Sequence, residues 1–488
     1  MALKTAQEYI DSLRALKSDV WLFGEKVDNF VDHPVIRPSI NAIALTYKIA
    51  HEPEYEDLAV TTSSLTGEKT NRFTSLFMSQ DDMVKKIKMQ RMLGQRTGCC
   101  FQRCVGMDAL NAVYSSTFEI DEKHGTEYHK RFKEWLKYIQ QNDLCVQGAM
   151  TDVKGDRGVS PSKQPDPDMF VHVVERRPDG IVIRGAKAHQ TGSVNSHEML
   201  VMPTLTMREG DEDYAICCAL PSDSKGVHFI YGRQSCDKRK LEEGDIDVGN
   251  YMFGGQEALT VLDDVFVPWE RVFMCGEVEF SNPVVERFAG NHRQSYGGCK
   301  PGIGDVLIGA TAAMTDYNGV ARASHVRDKI AEMSHLVETL HACGLAACTQ
   351  GSQTKAGNYQ PDILMANVCK MNVTRYPYEL CRLAEDLAGG ALVTIPSECD
   401  LRSPEIGKYV EKYFKAKDVG AEERLRMLSL INSMTFGLTA PSYRTESMHG
   451  AGSPQAMKVM IERQTDIGEK KRLARVLAGI DKREKLAD

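Results

Sequence analysis

What most constrains this chain is a change of period along its length. Up to about residue 145, apolar residues recur at three- and four-residue spacing, as across residues 128–139, which is the pattern of amphipathic helices. From about 146 to 280 short β-branched runs take over: Phe170-Val-His-Val-Val174, Ile181-Val-Ile183, Tyr214-Ala-Ile216 and Val227-His-Phe-Ile230. Turn signals such as Pro178-Asp-Gly180 and Pro221-Ser-Asp separate them. Helical periodicity then returns in long segments, clearest over 303–345, 362–387 and 421–438. The sequence therefore predicts an α+β chain. It has an N-terminal helical domain (1–145), a middle β domain (146–280) and a C-terminal helical bundle (281–488). A length of 488 residues suits several packed layers better than one core.

Charge excludes some functions. The net charge of -7 offers no basic stripe for nucleic acid. Local basic runs, Lys85-Lys86-Ile87-Lys88 and Asp481-Lys-Arg-Glu-Lys485, read as solvated helix faces. No run approaches the roughly 20 apolar residues of a membrane span. The first 13 residues read as a helix and not a signal peptide, so the cytoplasm is the expected compartment. The fourteen cysteines lack the dense spacing of a secreted disulfide scaffold, so most are expected to be buried thiols.

Two segments concentrate metal-binding side chains. Arg96-Thr-Gly-Cys-Cys-Phe-Gln-Arg-Cys104 sets Cys100 and Cys104 four residues apart, on one face if the segment is helical. A buried pair of helix cysteines explains this segment equally well. Asn291-His-Arg-Gln-Ser-Tyr-Gly-Gly-Cys-Lys300 sets His292 and Cys299 seven apart, again on one helical face. Three thiolates and an imidazole suit an iron–sulfur cluster, and zinc accepts the same set. Zinc more often takes CxxC knuckles on turns. Gly297-Gly298 would let the backbone approach a bulky cluster.

With Cys100-Phe-Gln-Arg-Cys-Val-Gly-Met-Asp108, the segment from Glu286 through Lys300, and Tyr443-Arg-Thr-Glu-Ser-Met-His-Gly-Ala-Gly-Ser-Pro-Gln455, the chain resembles the 4-hydroxybutyryl-CoA dehydratase family over its whole length. The resemblance implies an acyl-CoA dehydrogenase-like fold, FAD, a homotetramer, and a [4Fe-4S] cluster on Cys100, Cys104, His292 and Cys299. Cys99 stands where the family is expected to have another residue. Helical spacing to Cys104 favours Cys100, and Cys99 reads as a packed thiol.

The flavin is expected at the β region. Gly148-Ala-Met-Thr-Asp-Val-Lys-Gly-Asp-Arg157 is a connecting loop, or a cradle in which Met150, Thr151, Asp156, Arg157 and Gly158 meet anionic oxygens. The resemblance places His189, Gln190, Thr191 and Gly192 along the isoalloxazine ring, where a donor tunes redox steps. Glu385-Asp-Leu-Ala-Gly-Gly390 is either a plain helix end at Gly389 or, with Asp386, Ala388 and Gly389, the element reaching the adenine, often across a subunit interface. No GxGxxG is present, so a dinucleotide fold is not expected.

The implied reaction is dehydration of 4-hydroxybutyryl-CoA to crotonyl-CoA via vinylacetyl-CoA, with vinylacetyl-CoA isomerisation as a side activity. Its difficulty is a β-hydrogen that no carbonyl acidifies. A flavin beside a base supplies an electron acceptor, and an iron with a weakly held ligand supplies a Lewis acid for the hydroxyl. His292 is the candidate base and Glu446 a second acid/base. Tyr296 and Lys300 follow His292 at one and two helical turns, while Glu257 and Gln102 join the polar network. Two alternatives stand beside this reading. One is a flavin-dependent aromatic monooxygenase of the same fold, with a reductase partner; the other is a non-catalytic redox sensor.

Overall fold

The structure, a computed structural model, describes residues 3–242, 244–255 and 257–481. The basic run beginning at Asp481 therefore lies almost wholly outside the described residues. The N-terminal region holds helices α1 (Ala6–Arg14), α2 (Arg37–Lys48), α3 (Glu56–Ala59), α4 (Gln80–Thr97), α5 (Cys104–His124) and α6 (Tyr128–Gln141). A capping box between Thr5 and Glu8 starts α1, and Gly98 in the left-handed region ends α4.

This region is not purely helical, contrary to the periodicity. Strands β1 (Asp19–Leu22) and β2 (Glu25–Lys26) leave it to join the middle region, and β3 (Val60–Thr62) pairs with β4 (Lys69–Asn71). The middle strands are β5 (Val146–Ala149), β6 (His172–Arg177), β7 (Gly180–Thr191), β8 (Glu198–Val201), β9 (Ile216–Pro221), β10 (Val227–Tyr231), β11 (Glu257–Pro268) and β12 (Val272–Cys275). They form a six-stranded sheet of order β2-β1-β10-β11-β7-β6 and a four-stranded sheet of order β12-β9-β8-β5. β1 lies parallel to β10, with Val20 against Phe229, both buried. β7 and β11 pair over their full lengths, and this register sets Thr191 opposite Glu257.

A short helix, α7 (Val248–Tyr251), precedes the long α8 (Ser281–Tyr317), α9 (Ser324–Thr349), α10 (Ile363–Val373) and α11 (Tyr376–Ala388). The chain continues through α12 (Glu398–Arg402), α13 (Gly407–Phe414), α14 (Ala421–Thr435), α15 (Glu446–His449), α16 (Pro454–Gln464) and α17 (Ile467–Leu477). Between α14 and α15, residues Pro441–Thr445 form one π-helical turn, wider than an α turn. α8 is the spine of the molecule, packed on α4, α5, α9, α10 and α11. Its contacts are tight at two glycines. A Cβ on Gly298 would lie 2.7 Å from that of Gln90 on α4, and one on Gly297 would lie 2.5 Å from Gly344 Cα on α9. These glycines admit neighbouring helices, so the expectation that they make room for a cluster is corrected. No described helix is long and apolar enough to cross a membrane.

Candidate active site

The centre of α8 gathers the side chains that the sequence singled out. His292, Tyr296, Cys299 and Lys300 are all buried there. Tyr296 and Lys300 project to the C-terminal segment, where Glu446 heads α15 just after the π turn. The Tyr296 hydroxyl donates to Glu446 Oε1 at 3.1 Å, and Lys300 Nζ donates to Oε2 at 3.1 Å and to the Ser442 carbonyl at 2.5 Å. One carboxylate thus joins a phenol and an ammonium. Burial disfavours the Lys300 charge, but Glu446 and nearby thiols outweigh it and hold its pKa above the usual lysine value. The Tyr296 hydroxyl is pushed well up by burial and by Glu446.

Cys100 and Cys104 reach the same place by a different route from the one predicted. α4 ends at Gly98 and α5 begins at Cys104, so the two cysteines span a loop and not one helical face. Gln102, at φ +61°, makes the bend. Cys100, Cys104 and Cys299 act on one another electrostatically, and Glu446 acts on all three. Burial pushes their thiols up, Cys299 to about 12. Cys99 is also raised to about 12 by burial, and its thiol lies 3.5 Å from the Cys100 carbonyl. The thiols that act on one another are Cys100, Cys104 and Cys299. Gly255 packs onto this loop, because a Cβ there would lie 2.9 Å from Cys100 Cβ.

His292 lies one turn before Tyr296 on α8, stacked at 5.4 Å on Phe288 and edge-on at 5.2 Å to Tyr296. Its Nδ1 sits 2.8 Å from Asp108 Oδ2, leaving Nε2 as the other nitrogen. Asp108, at the second turn of α5, also accepts from Ser295 Oγ at 2.9 Å. Lys86 Nζ is 2.6 Å from Asp108 Oδ1 and donates to the Asn291 carbonyl. Among the described residues no donor is well aligned on that oxygen, so the contact is an ion pair more than a hydrogen bond. Burial pushes the Asp108 carboxyl up, yet Lys86 and His292 together win and hold it below its usual value. Lys86 is fully buried, which corrects the reading of its basic run as a solvated face. Among the described residues no three His, Cys, Asp or Glu side chains converge tightly enough for a single metal ion.

The β wall stands opposite. Glu257 opens β11 and accepts from the Thr191 hydroxyl at 2.5 Å. Desolvation, with Glu446 nearby, raises its pKa to about 7 against the pull of Thr191 and Lys300. Gln102 does not join the acid/base groups by its side chain. Its amide is spent on the Ser39 and Gly254 carbonyls at 3.0 and 2.9 Å.

The two predicted flavin segments meet: Ala188 N donates to Thr151 O at 2.9 Å, and Gln190 Nε2 donates to the same carbonyl at 3.0 Å. His189 and Gly192 have positive φ, and His189 lies within electrostatic reach of Lys154 and His449. Met150 is buried at the edge of this wall, while Asp156, Arg157 and Gly158 are exposed. Asp156 accepts from Gly158 N, closing a small turn. Asp386 is ion-paired to Lys329, Ala388 is buried, and Gly389 caps α11. Among the described residues this end of α11 makes no hydrogen bond to the 150–192 segments.

Sequence reasoning missed four groups. Asp108 was signalled by its place one turn after Cys104, and Arg293 by its place beside His292. Lys86 and Lys370 carried no signal. Lys370 Nζ donates to Ser447 O and lies 5.0 Å from the Tyr296 ring, and burial lowers its pKa to about 7 despite Glu446. Arg293 bonds the Ala451 carbonyl and Asn367, and burial lowers its pKa to about 10.

Profiles described as 4-hydroxyphenylacetate 3-hydroxylase N terminal and C terminal match residues 5–274 and 281–479. A 4-hydroxybutyryl-CoA dehydratase/vinylacetyl-CoA-Delta-isomerase of Clostridium aminobutyricum is 60% identical, over 98% of this chain and 100% of its own. A solved oxygen-tolerant archaeal 4-hydroxybutyryl-CoA dehydratase from N. maritimus superposes with a TM-score of 0.96 at 56% identity, covering 100% of this chain and 97% of that one. The oxygenase component of 4-hydroxyphenylacetate 3-monooxygenase, complexed with FAD and 4-hydroxyphenylacetate, follows at a TM-score of 0.86 and 25% identity, covering 98% of both chains. The predicted α+β, acyl-CoA dehydrogenase-like fold is the one shared by these structures. Within the wider group marked by the hydroxylase profiles, this chain belongs to the 4-hydroxybutyryl-CoA dehydratase family.

Proposed function

We propose that this protein dehydrates 4-hydroxybutyryl-CoA to crotonyl-CoA by way of vinylacetyl-CoA, and isomerises vinylacetyl-CoA at the same site. The observation that carries the reading is the meeting of Glu446, Tyr296 and Lys300 beside three neighbouring thiols, on the helix that bears His292. The names of the relatives at 60% and 56% identity support it, whereas the monooxygenase relation is distant at 25%.

Two cofactors fit the residues present. The edge formed by Thr151, His189, Thr191 and Gly192, where the two segments meet, would take FAD, as expected of a relative of FAD-bound oxygenases. Met150, Gln190, Asp156, Arg157 and Gly158 would complete that cradle. Asp386, Ala388 and Gly389 would reach the adenine from another subunit of a homotetramer. The exposed Ile467, Leu473 and Leu477 of α17, a helix with no buried residue, are consistent with such an assembly.

Cys100, Cys104 and Cys299 would hold a [4Fe-4S] cluster, with His292 Nε2 as fourth ligand. Such a cluster gives each ligand its own iron, so the four need not converge on one point. Their buried thiols would lose protons on metal binding. When bound, the flavin supplies a one-electron acceptor and the cluster a Lewis acid.

The protein's own groups do the rest. His292 would act as base only once Nε2 has let go of its iron, which frees the lone pair to take the substrate proton; its Nδ1–H stays on Asp108, which stabilises the imidazolium as it forms. Glu257 and Glu446 are two carboxylates in unlike surroundings, an arrangement that divides acid from base. Glu257, protonated up to about pH 7, is the donor toward the leaving hydroxyl. Glu446, ion-paired to Lys300, is the acceptor, with Tyr296 relaying between it and the substrate. We place the protein in the cytoplasm.

The test is anaerobic incubation with 4-hydroxybutyryl-CoA, with product mass and the flavin and iron content followed together. Crotonyl-CoA from protein holding both cofactors is the expected result. Failure to turn over any hydroxyacyl- or enoyl-CoA by cofactor-replete protein would overturn the proposal, as would hydroxylation of a phenol by protein given reduced flavin.

A further inference from the structure

Buried residues from three helices meet at one carboxylate, and that carboxylate faces an imidazole nitrogen. Asp108 of α5 accepts at Oδ2 from His292 (2.8 Å) and from Ser295 Oγ (2.9 Å), both on α8. Its other oxygen is 2.6 Å from Lys86 Nζ of α4. Asp108 and Lys86 have no exposed surface at all. Lys86 Nζ is itself anchored on the Asn291 carbonyl at 3.1 Å, one residue before His292. An ionised carboxylate can only accept hydrogen bonds, so the nitrogen that faces it must carry the proton. In the neutral ring Nε2 is then left with its lone pair.

We propose that Asp108 is the positioning residue for His292: it fixes the Nδ1–H tautomer and the ring orientation so that Nε2 can serve as a metal ligand and base, and Lys86 neutralises it without competing for His292. The proposal rests on the cluster reading above. A ligating histidine commonly gives its second N–H to a carboxylate, and loss of that partner costs about 10–100-fold in metal affinity or activity. A carboxylate with no counter-charge would be too costly to keep at this depth, which accounts for a lysine in a place where no solvent reaches it. Ser295 uses the same Asp108 oxygen as His292 and so sets the carboxylate's rotation. No other acidic residue bonds His292 among the described residues. The role therefore falls to Asp108 alone.

The test compares wild type with Asp108→Asn and with the charge-balanced Asp108→Asn/Lys86→Met pair, which keeps the site neutral should the single variant not fold. Protein is purified anaerobically and loaded with 57Fe. Iron and sulfide per chain, the Mössbauer spectrum and dehydration rate are measured, and thermal unfolding together with flavin content reports the fold. An Asn can offer either an oxygen or an amide N–H to Nδ1, so it no longer enforces one tautomer.

The expected result is a folded, flavin-containing variant in which the distinct nitrogen-bound iron site weakens or is lost, the thiolate-bound sites persist, and the rate falls about 10–100-fold. A folded variant with the wild-type spectrum, iron content and rate would overturn the assignment of Asp108 while leaving the cluster reading intact. A wild type with no iron, or with no distinct iron site, would overturn both.

Discussion

On the helical side of the site a buried cation answers each of two carboxylates, Lys86 the buried Asp108 and Lys300 the partly buried Glu446, on helices locked at glycine contacts. On the β side the end of β7 is held by main-chain and amide bonds to Thr151, and residues 154–159 beside it are exposed. The helical wall is costly to build, because buried charge must be paired or it destabilises the fold. It can therefore hold a few atoms in fixed places. The β wall costs little and can follow the outline of a large planar ligand. Glu257 is the exception, a carboxyl on the β side with no cation bonded to it among the described residues, and burial, with Glu446 nearby, raises its pKa.

The comparison breaks most visibly if the helical wall can be dismantled without loss. His292→Ala removes both a proposed ligand and the proposed base. Dehydration should fall by more than about 1,000-fold, with iron lost from the site, by turnover assay and iron analysis. Glu446→Gln comes next. It leaves Lys300 without its counter-charge and Tyr296 without an anionic acceptor, so the rate should drop about 100–10,000-fold while iron content holds. A variant within threefold of wild type would remove Glu446 from the chemistry.

Glu257 sharpens the contrast through pH. Its folded pKa of about 7 lies above the ordinary 4.5, so the native state binds this proton more tightly than the unfolded chain does. Its stabilising contribution is complete below about pH 4.5 and is lost as pH rises through about 7. Glu257→Gln cannot lose its proton, so its Tm relative to wild type should rise between pH 5 and pH 8. The alkaline limb of the rate profile near pH 7 should disappear as well. Equal Tm differences at both pH values would show that Glu257 titrates as an ordinary carboxyl. The smallest effect belongs to the β wall: Arg157→Ala, at an exposed position, should raise the flavin dissociation constant only about two- to fivefold, a loss of the size measured for one exposed charge. Fluorescence titration with FAD reads this directly.

The sequence made the helical wall partly legible. His292, Tyr296, Cys299 and Lys300 share α8, and helical spacing alone places Tyr296 and Lys300 on one face. The route from Cys100 to Cys104 was misread as a helix because a four-residue gap fits either a turn of helix or a bend. Only Gly98 and the positive φ of Gln102 decide it. Lys86 was hidden by company, since Lys85 beside it is solvent-facing and ion-paired to Asp57 while Lys86 points into the core. Its partner is on another helix, and no periodicity reports that. The pairing of β1 with β10 was equally invisible, because a parallel contact across some two hundred residues leaves no local mark. The β strands themselves were legible from their β-branched runs, though the run at Tyr214 proved to be the turn before β9.

The π-helical turn at Pro441–Thr445 carries a consequence for how this site could be lost or gained. Such a turn holds one residue more than an α turn, and each residue advances the direction of a helix by about 100°. Glu446 therefore owes its aim at Tyr296 and Lys300 to a single extra position in the chain. A one-codon deletion within this stretch would restore ordinary helix, keep almost every amino acid, and swing the carboxylate roughly a quarter-turn away from both partners. In descent, the same arithmetic runs in reverse: one inserted residue suffices to bring a surface glutamate to bear on a buried site.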